Sequence, residues 1–290
     1  MKLKNFVWTP GHTIMSYQIL LVILFPFYVI YGPPLSWKMI LYAVFLYCAS
    51  MMSITAGYHR LYSHKSYKTN KWIEFPLIFF GSMAGQGSAL RWAFDHRNHH
   101  AFSDTEKDLY SIKKGFWHAH FLWLCLPSPP IEPKFVQDLM KNRLVMSQHK
   151  YINLWMIGTN LLMTILGAWL FNDYVGALFI AFGLRLALGH HCTFFINSLA
   201  HTKGSRPFGK TESAVDNYFI SFVTFGEGFH NFHHTFPNDY RNGIRWFDFD
   251  PTKWLVWLLK KVGLAKDLKQ VSKEHILDMM NRANELDHKH

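Results

Sequence analysis

The sequence predicts an all-α integral membrane protein with four transmembrane helices in two hairpins and a cytoplasmic helical cap. Three observations carry this prediction: four long apolar runs, an uneven distribution of Lys and Arg, and histidine clusters at the ends of the runs. Half of the 290 residues are hydrophobic and 17% are aromatic, a composition that a soluble domain could also have. The order of residues along the chain therefore matters more than the composition.

The four apolar runs cover residues 13–32, 35–57, 152–171 and 174–196. Each approaches or exceeds the roughly 20 residues that a helix needs to cross a bilayer. Buried helices of a soluble core are the alternative, but such helices normally keep a polar stripe. No cleavage site of small residues follows the first run, so we expect that run to remain in the protein as an anchor.

Lys and Arg are placed asymmetrically around these runs. The short connections at 33–34 and 172–173 contain none, whereas the segments 58–150 and 197–290 hold almost all of them. By the positive-inside rule, both large segments are expected to face the cytoplasm. The net charge of +11 therefore indicates acidic partners or anionic lipid headgroups and argues against nucleic acid.

The two large segments are not wholly polar. The stretches 75–84 and 121–126 are apolar but too short to cross a bilayer. Such stretches are typical of helices that lie in the membrane interface. We expect the whole chain, residues 1–290, to form one membrane domain.

Nine histidines occur in four short clusters next to the apolar runs. The clusters read His59-Arg-Leu-Tyr-Ser-His64, His96-Arg-Asn-His99-His100, Asn197-Ser-Leu-Ala-His201 and His230-Asn-Phe-His233-His234. Neutral imidazole is a common ligand of transition metals, and nine histidines are far more than one zinc ion uses. The clusters therefore predict two metal ions at a membrane face.

The spacing within the clusters suits helices. Residues at i, i+3 and i+4 share one helical face, so each HxxHH triplet should point one way. Asn197 and His201 should also project together. His59 and His64 are five residues apart and diverge by about 140° on an ideal α-helix. We therefore expect either that the helix frays near His64 or that the two rings serve different metals.

Iron fits this donor set better than zinc does. Structural zinc prefers four ligands, usually with thiolates, whereas nine histidines suit two ions that are nearly six-coordinate. A carboxylate-rich di-iron bundle would need paired ExxH motifs, and among the four histidine clusters Glu227 with His230 alone matches that pattern. Ligand imidazoles usually donate their other N–H to a carboxylate. Asp95, Asp104, Glu106 and Glu227 are the candidate acceptors.

The motifs HRLYSH, DHRNHH, NSLAH and GEGFHNFHHTFPNDYR resemble those of the membrane-bound fatty acyl desaturases of the stearoyl-CoA delta-9 type. The resemblance runs from about residue 58 to residue 240 and includes motif spacing, order and flanking residues. It implies an enzyme that uses dioxygen, two electrons and two iron ions to insert a cis double bond into a saturated acyl chain. The iron ligands it implies are His59, His64, His96, His99, His100, His201, His230, His233 and His234, with Asn197 acting through a water molecule.

The resemblance also implies a long-chain acyl substrate, with acyl-CoA as the first choice. Animal enzymes carry a basic pair after their second interfacial helix, but residues 124–127 here read Leu-Cys-Leu-Pro. A glycerolipid ester or a carrier protein therefore remains an alternative. Other cations that could contact a phosphate are Arg91, Arg97, Lys113 and Lys114.

A separate electron donor is expected, such as a ferredoxin or a cytochrome b5-type protein, because the chain contains no cytochrome segment. The short chain favours a bacterial inner membrane, or the endoplasmic reticulum if the source is eukaryotic, with the catalytic face in the cytoplasm. The nearest rival function is a related histidine-rich di-iron membrane hydroxylase. A metal transporter is a further rival, but its ligands should lie near the bilayer midplane.

Two further residues are candidates for a role in the site. Arg185 lies in the middle of the fourth apolar run, where charges usually face the bundle interior. It either contacts the substrate or a carboxylate, or holds helices together. Trp92 belongs to an aromatic stretch that could wall a tunnel for the acyl chain.

Overall fold

Four long apolar helices dominate the computed structural model, which describes residues 6–287. The helices, numbered along the chain, are α1 (Pro10–Tyr31), α2 (Trp37–Ser63), α3 (Lys71–Met83), α4 (Ala89–Phe102), α5 (Phe116–His120), α6 (Gln137–Met140), α7 (Arg143–Lys150), α8 (Ile152–Phe171), α9 (Tyr174–His201), α10 (Tyr218–Val223), α11 (His230–Thr235), α12 (Pro251–Lys261) and α13 (Lys273–Asp287). The four spans are α1, α2, α8 and α9, so the predicted all-α membrane fold is confirmed. The predicted domain ends, 1–5 and 288–290, lie outside the described residues.

The outward surface of the spans is apolar, as a lipid environment requires. On α1 only Gly11, Ile14 and Tyr28 are buried, whereas Val22 is 73% exposed and Val29 is 66% exposed. A continuous apolar surface of this size would be unfavourable in water. In a bilayer the same side chains face lipid tails, so α1 needs few protein contacts to stay in place.

Helices α2 and α9 continue beyond the apolar runs that predicted them. The run predicted to end at residue 57 continues as helix to Ser63, and the run predicted to end at 196 continues to His201. The added turns are more polar than the spans and carry His59 and His201. The same rigid helices that cross the membrane therefore hold two of the predicted ligands.

The two short apolar stretches pack against the spans. Residues 75–84 fall almost wholly within α3, which buries Leu77 and Ile78 and contacts α2 and α8. Within the stretch 121–126, a 3-10 helix (Leu122–Cys125) packs on α1. A side chain at Gly11 of α1 would come within 2.6 Å of the Leu124 backbone, so this close approach requires glycine. Both stretches thereby become part of the walls around the interior.

The remaining elements form a cap over the ends of α2 and α9. The cap contains α4 and α11, the two helices that carry the HxxHH triplets. A short antiparallel sheet pairs β1 (Lys68–Thr69) with β2 (Ala265–Lys266), which fastens the C-terminal part of the cap to the residues after α2. Ser88 caps α4 by accepting a hydrogen bond from the Arg91 N–H. These contacts fix the start of α4 and attach the C-terminal part of the cap to the end of α2.

Candidate metal centre

The structure brings eight of the nine predicted histidines together in two buried groups of four. Within each group the possible ligand atoms lie within 4.8 Å of one another. The groups are His59, His64, His96 and His233, and His99, His201, His230 and His234. His100 lies between the groups, because its Nε2 is 2.9 Å from the Nε2 of His233 and its ring is stacked 4.4 Å from His234.

A π-helical segment explains how His59 and His64 reach the same group. From Ser53 to Ser63 the helix α2 has π geometry, and the His64 N–H donates to the His59 carbonyl at 3.1 Å. In a π-helix residues five apart lie one turn apart, so they share a face. Their ring centres are 4.7 Å apart. The expectation of a frayed helix was wrong, because α2 stays helical to Ser63. The alternative, that the two rings serve different metals, is less favoured because both belong to one group.

Each HxxHH triplet contributes to both groups. On α4, His96 belongs to the first group and His99 to the second. On α11, His233 belongs to the first group, while His230 and His234 belong to the second. The two helices face each other across the site, so the groups are adjacent. Each triplet lies on one side of its helix, as predicted, but its histidines are divided between the two groups.

Three carboxylates outside the two histidine groups lie close to the Nδ1 atoms of histidines in the groups. The Nδ1 of His59 lies 2.7 Å from Glu227, that of His99 lies 3.0 Å from Asp108, and that of His234 lies 2.5 Å from Glu212. A carboxylate accepts and does not donate, so each ring carries its proton on Nδ1. In its neutral form, each of these rings then presents the lone pair of Nε2 to its histidine group.

His201 is oriented in the same way through a hydroxyl group. Its Nδ1 lies 2.8 Å from Ser213 Oγ, which itself donates to Asp104 Oδ1 at 2.6 Å. Because the Ser213 proton goes to Asp104, the hydroxyl oxygen must accept from His201. The Nε2 of His201 is thus unprotonated too. Asp104, which was predicted to orient a ligand, acts here through Ser213.

The two groups fit metal ions. The Nε2 atoms of His99 and His234 face each other at 3.3 Å, and in the neutral rings both carry lone pairs, because each Nδ1 faces a carboxylate. Two lone pairs at this distance repel unless a cation lies between them. Imidazole nitrogens about 2.1 Å from one ion would lie about 3.0–3.4 Å apart. The donor set is made of imidazole nitrogen, without thiolate.

Burial keeps five of the nine clustered histidine rings neutral. Desolvation, reinforced by neighbouring rings, holds the pKa of His96, His100, His230, His233 and His234 well below the usual value. Neutral imidazole is the form that binds metal. The electrostatics of the pocket therefore favour the ligand form of all five.

The other predicted carboxylates have different surroundings. Glu227 is buried and also accepts hydrogen bonds from Arg60 and Asn242. Asp95 pairs with Arg91 rather than with a histidine, and burial raises the pKa of its carboxyl to about 6. Glu106 is exposed, so the structure does not bring its side chain to the histidines. Asp108, two residues later, contacts His99 because the loop after α4 turns inward at that point.

Asp108, Glu212 and Ser213 were missed by reasoning from the sequence. Asp108 follows the first triplet in a loop, and the other two lie in the long connection between α9 and α10. None of them has a fixed spacing to the histidine it contacts. The nearest signal was the presence of Asp and Ser in the loops beside the triplets.

Arg185 and Trp92 have distinct roles. Arg185 is buried and donates to the carbonyls of Met83 and Ala181 and to the side chain of Asn160, so it joins α3, α8 and α9. Of the two alternatives, the structure supports the one in which it holds helices together. Trp92 stacks on His96 with ring centres 4.9 Å apart.

A cavity of about 700 Å³ lies against both histidine groups. Its wall includes His59 and His96 from the first group, His99 and His230 from the second, and Asn197. Apolar side chains such as Met51, Ile54 and Phe194 line much of the remainder.

Gln86 connects two parts of the cavity wall, one from α4 and one from α9. Its amide nitrogen donates to Thr193 at 2.8 Å, and its oxygen accepts from the Trp92 indole at 3.2 Å. The wall beside His96 is thereby fixed in place.

Comparison with known proteins agrees with this architecture. The family model for fatty acid desaturases matches residues 35–265. The "Probable acyl-CoA desaturase" of Schizosaccharomyces pombe is 43% identical over 84% of this chain and 52% of its own length. "Acyl-CoA desaturase 1" of Saccharomyces cerevisiae is 41% identical over 84% of this chain and 48% of its own length.

A cyanobacterial relative matches over most of both chains. The "sn-2 palmitoyl-lipid 9-desaturase" of Nostoc is 38% identical over 80% of this chain and 81% of its own length. By contrast, the chain spans about half the length of the two fungal relatives. The resemblance seen in the histidine motifs is confirmed by all of these matches. The chain belongs to the fatty acid desaturase family.

Proposed function

We propose that this chain is a fatty acyl desaturase that inserts a cis double bond at the delta-9 position of a saturated acyl chain. The observation that supports it best is the contact between two groups of histidines and one largely apolar cavity. Two relatives, an "sn-2 palmitoyl-lipid 9-desaturase" and an "sn-1 stearoyl-lipid 9-desaturase", support the delta-9 position. In the overall reaction the acyl chain loses two hydrogen atoms. These combine with dioxygen, two electrons and two protons to form two water molecules.

The proposed iron ligands are the nine histidines, with Asn197 acting through water. His100 would join the first group, because its Nε2 lies 2.9 Å from that of His233. Asn197 would serve the second group, since it lies one turn before His201 on α9 and lines the cavity. Two iron ions bound there would supply the oxidation of an unactivated C–H bond by dioxygen, which side chains alone cannot perform.

The protein's own contribution is to position the acyl chain and exclude water. Apolar walls bury the methylenes, and the Gln86 bridge fixes Trp92 against His96. The carbon that lies beside the histidines would then be set by the distance from an anchored head group. The length and shape of the cavity would thus determine the position of the double bond.

The acyl carrier is proposed to be CoA or a glycerolipid, since relatives are named for both kinds of substrate. Three of the four cations suggested for phosphate contact already have partners. Arg91 pairs with Asp95, Arg97 pairs with Asp138, and Lys114 donates to two backbone carbonyls. These cations hold the cap together, which weakens the case for a dedicated phosphate site among them.

Electrons are proposed to come from a separate acidic protein, such as a ferredoxin or a cytochrome b5-type donor. The loops that cover the second histidine group carry exposed basic side chains, among them Lys107, Lys203 and Arg206. A positive surface beside the centre would attract an acidic donor. We place this face in the cytoplasm, since the basic segments are expected there, and propose a bacterial inner membrane.

The test is gas chromatography with mass spectrometry of derivatised lipids from a host that expresses the chain. A cis double bond at delta-9, absent from a host that expresses His233→Ala, is the expected result. A hydroxylated product would instead assign the chain to the sister hydroxylases. No product, with bound iron and a reductant system demonstrated, would overturn the proposal.

A further inference from the structure

A second cavity of about 380 Å³ lies between three of the membrane-spanning helices. Its walls come mainly from α1, α8 and α9, and most of them are apolar. Typical wall residues are Ile157, Leu161, Leu178, Phe182 and Leu186. The cavity is therefore placed where hydrocarbon, and not water, would fill it.

Several polar side chains in its wall are already bonded within the protein. The Tyr17 hydroxyl lies 3.0 Å from His190 Nδ1. The Asn160 amide donates to two backbone carbonyls and accepts from Arg185. Thr13 accepts from the Trp8 indole at 2.8 Å. These groups leave little to recognise a polar ligand, so the cavity suits an alkyl chain.

The cavity opens on the lipid-facing side of the bundle. Among its wall residues Ile157 is 65% exposed, Leu161 is 55% exposed and Leu178 is 53% exposed. All three belong to spans, so their exposed faces would lie against lipid tails. The neighbouring helix α1 buries only three residues, which leaves this side of the bundle thinly covered.

The second cavity meets the one beside the histidine groups. Thr13, Ile14, Gly85, Met156 and His190 line both. An alkyl chain in the second cavity is therefore next to the cavity that reaches His96 and His230.

A hydrogen-bonded pair stands where the cavities meet. His190 donates from Nε2 to the Gly85 carbonyl at 3.2 Å, so its Nδ1 accepts from Tyr17 and joins α1 to α9. Gly85 has a φ of +67° and lies against the His190 ring, a position that favours glycine. The junction is thus built from specific contacts and not from loose packing.

We propose that the second cavity is a lateral entrance through which the acyl chain of a bilayer glycerolipid reaches the metal centre. The proposal rests on the desaturase function proposed above and specifies its substrate class. A chain that enters from the side never exposes its methylenes to water, whereas one delivered from a soluble carrier must leave that carrier first. The Tyr17–His190 pair marks the threshold between the two cavities.

The test is photo-crosslinking in nanodiscs with phosphatidylcholine that carries a diazirine on its acyl chain. Labelled residues are identified by peptide mass spectrometry, and labelling requires neither bound iron nor turnover. In the unmodified protein we expect label on residues inside the cavity, such as Tyr17 and Leu186. Thr164→Trp places an indole in the cavity and should reduce that label about tenfold.

Ile165→Trp is the matched control, because Ile165 is the next residue on α8 and is 55% exposed outside both cavities. It should leave the label unchanged. Only monodisperse protein is compared, and Leu178→Trp repeats the test from the opposite wall if Thr164→Trp does not fold. We call Thr164→Trp and Leu178→Trp the filled variants. Equal labelling of Tyr17 and Leu186 in the filled and control variants would overturn the proposal, as would label confined to outward-facing residues.

Desaturation assays with two substrates separate this proposal from the function itself. The filled variants should lose activity on glycerolipid acyl chains while keeping activity on added acyl-CoA. A protein that is labelled in the cavity but desaturates neither substrate would refute the proposed function alone. A protein that desaturates acyl-CoA while its cavity stays unlabelled would refute the lateral entrance alone.

Discussion

The backbone N–H of His64 donates to the carbonyl of His59, five residues earlier, at 3.1 Å. This bond belongs to the π-helical segment of α2, and it places the two rings on one face with their centres 4.7 Å apart. His233 from α11 completes the same corner, since its ring lies 4.4 Å from His59 and 4.6 Å from His64. A single change of helical type therefore allows one short motif to give two donors to one group.

His233→Ala should abolish turnover and release iron from the first group, while the protein remains in the membrane. The Nε2 of His233 lies 3.0 Å from that of His59 and 2.9 Å from that of His100, so its loss opens the centre of the group. Iron per protein, measured by inductively coupled plasma mass spectrometry, is the readout. His275→Ala is the control because His275 is exposed on α13. Normal turnover in the His233 variant would contradict the ligand assignment.

Glu227→Gln should weaken iron binding about 10- to 100-fold, the usual effect of changing the partner of a ligand histidine. The Glu227 carboxylate lies 2.7 Å from His59 Nδ1 and holds the proton there. An amide lacks the charge, although Arg60 keeps its second carboxylate partner, Asp250. Chelator competition gives the affinity.

Glu106→Gln is the matched control for this change, because Glu106 is exposed and lies away from the histidines. It should leave iron affinity unchanged. Equal affinities for the two variants would mean that Glu227 does not orient His59.

The metal-free protein should lose stability as the pH falls from about 7.5 to 5.5. Burial holds the pKa of His96, His230, His233 and His234 below the ordinary value near 6.5. Below about pH 6.5 the unfolded chain therefore binds more protons than the folded chain, and stability falls with decreasing pH. Each such histidine contributes up to about 1.4 kcal/mol per pH unit.

Thermal unfolding in the presence of a chelator measures this dependence. His234→Ala should have a shallower slope than the unmodified protein, whereas His275→Ala should have the same slope. An unfolding temperature that does not change across this pH window would show that the rings are not held neutral.

Arg185→Met should destabilise the protein by about 1–3 kcal/mol, since it leaves buried acceptors without a donor. Arg185 donates to the carbonyls of Met83 and Ala181 and to Asn160, which joins three helices. Thermal unfolding in detergent measures the loss. Activity per folded protein, assayed well below the unfolding temperature, should be retained. A stable but inactive variant would show that Arg185 acts on the substrate instead.

Much of the membrane fold could be predicted from the sequence. Run length and hydropathy are local properties, so the positions of α1, α2, α8 and α9 follow from them within a few residues at each end. The placement of His59 and His201 at the ends of spans also follows from chain position. Glu227 could be named because it sits three residues before His230.

Other features required the three-dimensional structure. The π segment of α2 is a small backbone adjustment that propensities do not reveal, and it changes which histidines share a group. The choice of Asp108 over Glu106 depends on which way a loop turns over α4. The bond from Glu212 to His234 depends on the fold of the long connection between α9 and α10.

Two features can be read from residue order alone: this chain has four membrane spans, and its nine clustered histidines lie near one end of them. Both follow from residue types whose transfer energies and ligand chemistry are the same in any fold. The tertiary structure was needed to show how each HxxHH triplet is divided between the two histidine groups, and that Arg185 holds helices together. Those outcomes depend on contacts between residues far apart in the chain, such as His59 with His233 and Arg185 with Met83, which packing of the whole bundle brings together.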